Sequence, residues 1–245
     1  RASFEAGMTQ LGGQSLFISE KDIQLGRGEP ITDSAIVISS MVDAVMLRLS
    51  SHEDIIEFSK HSTKPVINAL SDESHPCQIL ADLMTYQEQR GAIKGKKIAW
   101  IGDGCNVCQT YMQAANIFDF SLSIATPKGY EPSQLYVDKY QDNVEYFNKP
   151  LDACIDADII VTDVWTSMGQ ESEQKERELA FKGFQVDKEM MSKAKNDVIF
   201  MHCLPAYRGK EVSADVIDGK QSVVWDEAEN RLHVQKALLL YLIEN

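Results

Sequence analysis

Asp197-Val-Ile-Phe-Met-His-Cys-Leu-Pro-Ala-Tyr-Arg208 is the stretch whose reading decides the fold. Residues 198–201 form a short apolar run rich in β-formers, which reads as a buried strand. The run stops at His202, Cys203 and Leu204, and Pro205 forbids both a continued ladder and an immediate helix. A thiol and an imidazole therefore stand at the carboxyl end of a core strand, the edge at which open α/β sheets bind ligands. Taken alone, the segment reads equally well as a small buried thiol beside a hydrogen-bonded imidazole.

Outward from this strand the chain alternates. Upstream, Asp187 caps a helix over 188–195, and a highly charged stretch, 170–178, is expected to be mobile. A strand over 158–162 ends at Asp163. Another over 97–101 ends in Gly-Asp-Gly, followed by a helix through 116, a strand over 121–125 and a turn over 127–132. Downstream, 222–225 reads as a last strand and 228–243 as a closing helix. The first half follows the same rhythm: strands over 15–18, 44–49 and 65–70, and helices over 31–41, 52–61 and 76–89. Strands alternating with helices in two halves imply an α/β fold of two doubly wound, mainly parallel-sheet domains. The Gly- and Lys-containing turn at 91–97 marks the boundary. Residues 1–90 then make a first domain and 91–227 a second, with the helix of 228–245 packing back on the first. Arg1-Ala-Ser-Phe-Glu-Ala-Gly-Met8 reads as the middle of a helix with no cap, so a first strand and helix are expected to precede it.

A net charge of −13, from 24 basic and 37 acidic side chains, leaves no basic stripe for nucleic acid or an anionic membrane. The five cysteines read as reduced thiols in a cytoplasmic protein, since no secretory leader precedes them. Cys105 and Cys108 form a Cys-x-x-Cys without the second pair or nearby His of a zinc site. No apolar run approaches the about 20 residues of a membrane span.

Arg48, His75, Asn106, Asp163, His202, Cys203 and Arg231 all fall at or just beyond predicted strand ends, which implies one cleft between two sheets. In Ser71-Asp-Glu-Ser-His-Pro-Cys-Gln78, Pro76 suits a first helical turn and pushes His75 toward extended geometry. His75 and Gln78 are then held at a helix N-terminus, which favours an anion or a polarised carbonyl oxygen; a His capping its own helix is the plainer use. Ile101-Gly-Asp-Gly-Cys-Asn-Val107 places Val107 where a dinucleotide fingerprint needs its third glycine. The turn could instead bring the Asn106 amide to a carboxylate. Asp163-Val-Trp-Thr-Ser-Met-Gly169 resembles a socket for an amino acid, with Asp163 for an ammonium and Ser167 for polar atoms, or a turn with Asp163 bonding its own backbone. Arg231 pairs either with Glu227 on the surface or with an oxygen-rich ligand.

Together these segments resemble the ornithine carbamoyltransferase family over nearly the whole chain. His75-Pro-Cys-Gln78 is similar to its His-Pro-x-Gln, the Asp163 to Gly169 segment to its Asp-x-x-x-Ser-Met-Gly, and His202-Cys-Leu-Pro205 to its His-Cys-Leu-Pro. Aspartate carbamoyltransferase, on the same fold, lacks the last two. The resemblance implies an active site in the cleft between the domains, a cytoplasmic homotrimer of arginine biosynthesis or breakdown, and no cofactor or metal. Its substrates would be carbamoyl phosphate and L-ornithine. Arg48, His75 and Gln78 would hold the carbamoyl group, with Arg231 also contacting carbamoyl phosphate. Asn106, Asp163, Ser167 and Met168 would hold the amino-acid end of ornithine, and Cys203 and Leu204 would lie beside its δ-nitrogen and the carbamoyl group. Arg48, His75, Cys203 and Asp163 would carry the catalysis. Arg1 corresponds to the last residue of the family's Ser-Thr-Arg-Thr-Arg phosphate grip, so the sequence as given is expected to bind carbamoyl phosphate poorly and to have reduced or no activity. The Cys105 position, often Asn in the family, is a departure; Asn106 is kept. The rival readings are a carbamoyltransferase for another amine, such as putrescine or an acylated ornithine, a thiol hydrolase using Cys203 and His202, and a non-catalytic ornithine-binding protein.

Overall fold

The computed structural model describes residues 1–19, 29–166 and 171–244. In chain order the elements are α1 (Ala2–Gln10), α2 (Ile31–Ser39), β1 (Val45–Arg48), α3 (His52–His61), β2 (Val66–Leu70), α4 (Pro76–Arg90), β3 (Lys97–Ile101), α5 (Asn106–Phe118) and β4 (Ser121–Ala125). There follow α6 (Gln134–Lys139), β5 (Val144–Phe147), α7 (Pro150–Ala153), β6 (Ile159–Thr162), α8 (Gln174–Ala180), α9 (Lys188–Lys193), β7 (Ile199–His202), α10 (Ala214–Ile217) and α11 (Val224–Glu244). The chain forms two compact units, Arg1–Ala81 with Asn230–Asn245, and Asp82–Glu229.

In the first unit β1 and β2 pair in parallel, from Val45 opposite Val66 to Arg48 opposite Leu70, with α3 as the crossover. Ser51 starts α3 by accepting the Asp54 N–H at 3.1 Å, satisfying one of the helix's orphan donors. Alternate strand residues serve opposite faces. Val45, Leu47 and Val66 pack with Ala35 and Phe58, whereas Met46, Ile67 and Ala69 pack with Phe4, Cys77 and Leu239. Both faces of even this small sheet are thus covered, as parallel pairing requires.

In the second unit five parallel strands run in the order β5-β4-β3-β6-β7. Strands β6 and β7 are buried along their whole length because helices cover both faces, which is why they read as unbroken apolar runs. The order turns back between β3 and β6. At such a reversal the connections leave in opposite directions and open a crevice at the carboxyl ends of the strands.

Several expectations are corrected. Residues 15–18 form no regular structure: Leu16 and Phe17 are exposed, with no partner strand among the described residues. Residues 222–225 contribute one bridge, Phe200 with Ser222, before α11 begins at Val224, earlier than the expected start near 228. The charged stretch is helical from Glu171 through Ala180, which the sequence did not foresee, and its Arg177 is buried in an ion pair with Asp103. Strand β5 was not foreseen; it lies at the sheet edge, half exposed, and carries Glu145. Among the described residues, no helix is long and apolar enough to cross a membrane.

Candidate functional site

In the first unit, Arg48 ends β1 with its side chain exposed and forms no ion pair among the described residues. His75 is buried immediately before Pro76, the first residue of α4, so the proline both fixes its extended backbone and starts the helix. Buried Gln78, one turn into α4, accepts a 2.6 Å hydrogen bond from Arg231 Nη1. The Gln235 amide, turned to suit its neighbours, accepts from Arg231 Nε and Nη2 at 3.1 and 3.0 Å and donates to Ser3 Oγ at 2.7 Å. Arg231 is therefore aimed by two uncharged carboxamides. Glu227, the partner it might have taken, instead accepts the His202 N–H at 2.9 Å. Burial, then the guanidinium charges of Arg231 and Arg48, lower the His75 pKa to about 3. The imidazole is a neutral donor across the physiological range. Arg1 pairs with Glu5 at 2.8 Å and lies 3.7 Å over the Phe17 ring.

In the second unit the groups converge on Asp163, which sits just past β6 and is buried. Its Oδ1 accepts the Val164 N–H at 2.7 Å and the Cys203 thiol at 3.1 Å; its Oδ2 accepts the Cys105 thiol at 3.7 Å. The three come from the ends of β6, β7 and β3, adjacent in the sheet. Burial first, and the Asp163 carboxylate second, hold both thiols well above the usual cysteine range. Asn106 opens α5 next to Cys105. Ser167 and Met168 lie outside the described residues.

The His202 ring is buried at the end of β7 and is held on both nitrogens. Its Nδ1 accepts the Leu204 N–H at 2.9 Å, which leaves the proton on Nε2, 3.2 Å from buried Glu211. That bond holds Leu204 in a left-handed conformation, φ 52°, uncommon for a branched residue. Asp163, His202 and Cys203 place ligand-type atoms within 4.8 Å of one another. Both nitrogens of His202 are engaged, however, so the cluster fits a hydrogen-bonded network better than a metal. Cys108 is fully buried, whereas Cys105 is partly exposed.

The Gly-Asp-Gly turn is closed to a dinucleotide. The Gly104 N–H donates to the Tyr130 carbonyl at 2.8 Å, and a Cβ there would run into the main chain at Glu131 and Pro132. Glycine is needed for that packing rather than for a phosphate. Residues that the sequence did not single out are Asp103, Arg177, Glu211 and Gln235. Only the adjacency of Asp103 to two glycines hinted at its place.

Known proteins resemble this chain over nearly its whole length. Residues 1–88 match the carbamoyl-P binding domain of aspartate/ornithine carbamoyltransferase, and residues 94–242 match its Asp/Orn binding domain. The ornithine carbamoyltransferase of Ruthia magnifica subsp. Calyptogena magnifica is 65% identical over 243 residues, covering 99% of this chain and 81% of that protein. That of Acinetobacter baylyi is 58% identical, covering 99% and 79%. Among solved structures, ornithine carbamoyltransferase from Pyrococcus furiosus matches with a TM-score of 0.95 at 49% identity, over 100% of this chain and 80% of that one. The enzyme from Burkholderia thailandensis matches at 0.92 and 53%, over 99% and 80%. The chain belongs to the aspartate/ornithine carbamoyltransferase family.

Proposed function

We propose that this chain transfers the carbamoyl group of carbamoyl phosphate to the δ-amine of L-ornithine, giving L-citrulline and phosphate. The observation that carries the reading is the Cys203–Asp163 hydrogen bond. It joins, across 40 residues of sequence, the two motifs that separate the ornithine branch from the aspartate branch. In this reading residues 1–90 bind carbamoyl phosphate and 91–227 bind ornithine, while 228–245 bring Arg231 back to Gln78 in the first domain.

Arg48, His75 and Gln78 hold the carbamoyl group, with Arg231 and Arg1 on the phosphate side. Asn106, Asp163, Ser167 and Met168 hold the amino-acid end of ornithine, and Cys203 and Leu204 lie beside the δ-nitrogen. That amine, whose free pKa is near the ~10.4 of a lysine, must lose its proton before it attacks. That first proton goes to solvent; the nitrogen then bonds to the carbamoyl carbon, the carbon–oxygen bond to phosphate breaks, and the departing phosphate accepts the second proton, released by the attacking nitrogen. The Arg48 guanidinium and the neutral His75 N–H face the developing oxyanion, donors worth roughly 3–4 kcal/mol apiece in other enzymes. Binding both substrates in register supplies much of the rest. A thiol-hydrolase mechanism lacks its activated nucleophile, because Cys203 is kept protonated and His202 bonds elsewhere. The resemblance also supports a cytoplasmic homotrimer serving arginine metabolism.

Citrulline formation from carbamoyl phosphate should be supported by ornithine, not by putrescine or N-acetylornithine. Arg48→Ala should lower turnover at saturating substrates by well over tenfold. A wild-type rate in that variant refutes the Arg48 assignment. Ornithine binding without any turnover would favour the non-catalytic alternative.

A further inference from the structure

The ornithine pocket just proposed is bounded by main chain leaving β3 and β6, and one interior ion pair joins those two exits. Arg177 of α8 is 6% exposed and Asp103 is 7% exposed. Arg177 Nη1 lies 2.7 Å from Asp103 Oδ2 and donates to the Trp165 carbonyl at 2.9 Å. Its Nε reaches Glu173 at 3.0 Å, and its guanidinium sits 4.9 Å over the Tyr130 ring. Asp103 is fixed in turn, for its carbonyl accepts the Trp100 indole N–H at 2.9 Å. A single guanidinium nitrogen thus ties a residue two before Cys105 and three before Asn106 to a residue two beyond Asp163.

We propose that the Asp103–Arg177 pair is a positioning device for the amino-acid end of ornithine, setting the spacing between Asn106 and Asp163. It touches neither the reacting atoms nor substrate. Burying two opposite charges costs about as much in lost hydration as their attraction returns, so stability alone is a weak reason to keep them. What the pair adds is direction: the fork of an arginine aims two bonds at fixed angles, which an apolar contact does not. The proposal rests on the ornithine reading of Asp163.

The test is steady-state kinetics on Arg177→Gln, Arg177→Lys, Asp103→Asn and the apolar double variant Asp103→Leu/Arg177→Met, each with its melting temperature. Arg177→Gln should raise the KM for ornithine at least tenfold and leave that for carbamoyl phosphate within twofold. Arg177→Lys, which keeps the charge and loses the fork, should recover only part of the loss. The double variant removes both charges together, so its melting temperature should return toward wild type while its ornithine KM stays high. An ornithine KM that recovers along with the melting temperature makes the pair a structural clamp and overturns the proposal. So does an unchanged ornithine KM in the single variants. If Arg177→Gln does not fold, Asp103→Asn and the double variant decide. Asp163→Asn serves as the control: if it leaves ornithine KM unchanged, the ornithine reading itself has failed, whereas a raised value there with normal kinetics in the pair variants sinks only this inference.

Discussion

Around His75 the charges that matter are guanidinium groups, and around Cys203 they are carboxylates. Burial acts on both sites in the same sense, against the charged form, so the imidazole is pushed down and the thiol up. The neighbours reinforce burial in each case: Arg231 and Arg48 repel a proton from His75, and Asp163 opposes a thiolate at Cys203. Each titratable group is thereby kept neutral, and the permanent charges are left for the substrates. Among the described residues Arg48 and Arg231 have no carboxylate partner, and Asp163 is a buried carboxylate; the proposed reading gives the first to carbamoyl phosphate and the second to ornithine.

The contrast breaks most sharply at Asp163. A charge-assisted hydrogen bond contributes about 1.5–3 kcal/mol. Asp163→Asn should therefore raise the ornithine KM between about tenfold and a hundredfold, with little change for carbamoyl phosphate. A smaller effect is expected from acid. The folded pKa of His75, about 3, lies below the 6.5 of an exposed histidine. Between those values the unfolded chain binds the proton and the folded chain does not, so the His75 contribution is intact above pH 6.5 and is lost as pH falls toward 3. His75→Gln should flatten the acid limb of thermal stability between pH 6.5 and 4, and the His75 ring should show no titration by NMR above pH 5. The mildest effect is on thiol reactivity. Iodoacetamide should label Cys203 slowly at pH 7 and faster above pH 9. Asp163→Asn, which removes a charge opposing the thiolate, should speed that labelling. Rapid labelling of wild type at neutral pH would end the parallel between the two sites.

Much of this was legible in the sequence because the apolar runs of β3, β6 and β7 are interrupted by polar residues where the strands end. Pro76 marks a helix start and Pro205 a strand end, and His75, Cys203 and Leu204 stand just before them. The edge strand β5 was not legible, since a half-exposed strand carries Glu145 and lacks an apolar run. Nor was Arg177: it stands in a run of charges that reads as solvated, and its partner Asp103 is 74 residues away. Sequence spacing does not say which one of several cations will be drawn inside. The same limit hid Gln235, whose carboxamide matters only because α11 brings it against Arg231.

The shielding of Cys203 has a protective side. Carbamoyl phosphate can eliminate phosphate to give cyanate, which carbamylates thiolates, so an enzyme that handles it beside an ionised sulfur would slowly poison itself. A sulfur hydrogen-bonded to a carboxylate 3.1 Å away, beside a His202 whose two nitrogens are bonded elsewhere, is a poor trap for such electrophiles, and the catalyst outlives its own reagent.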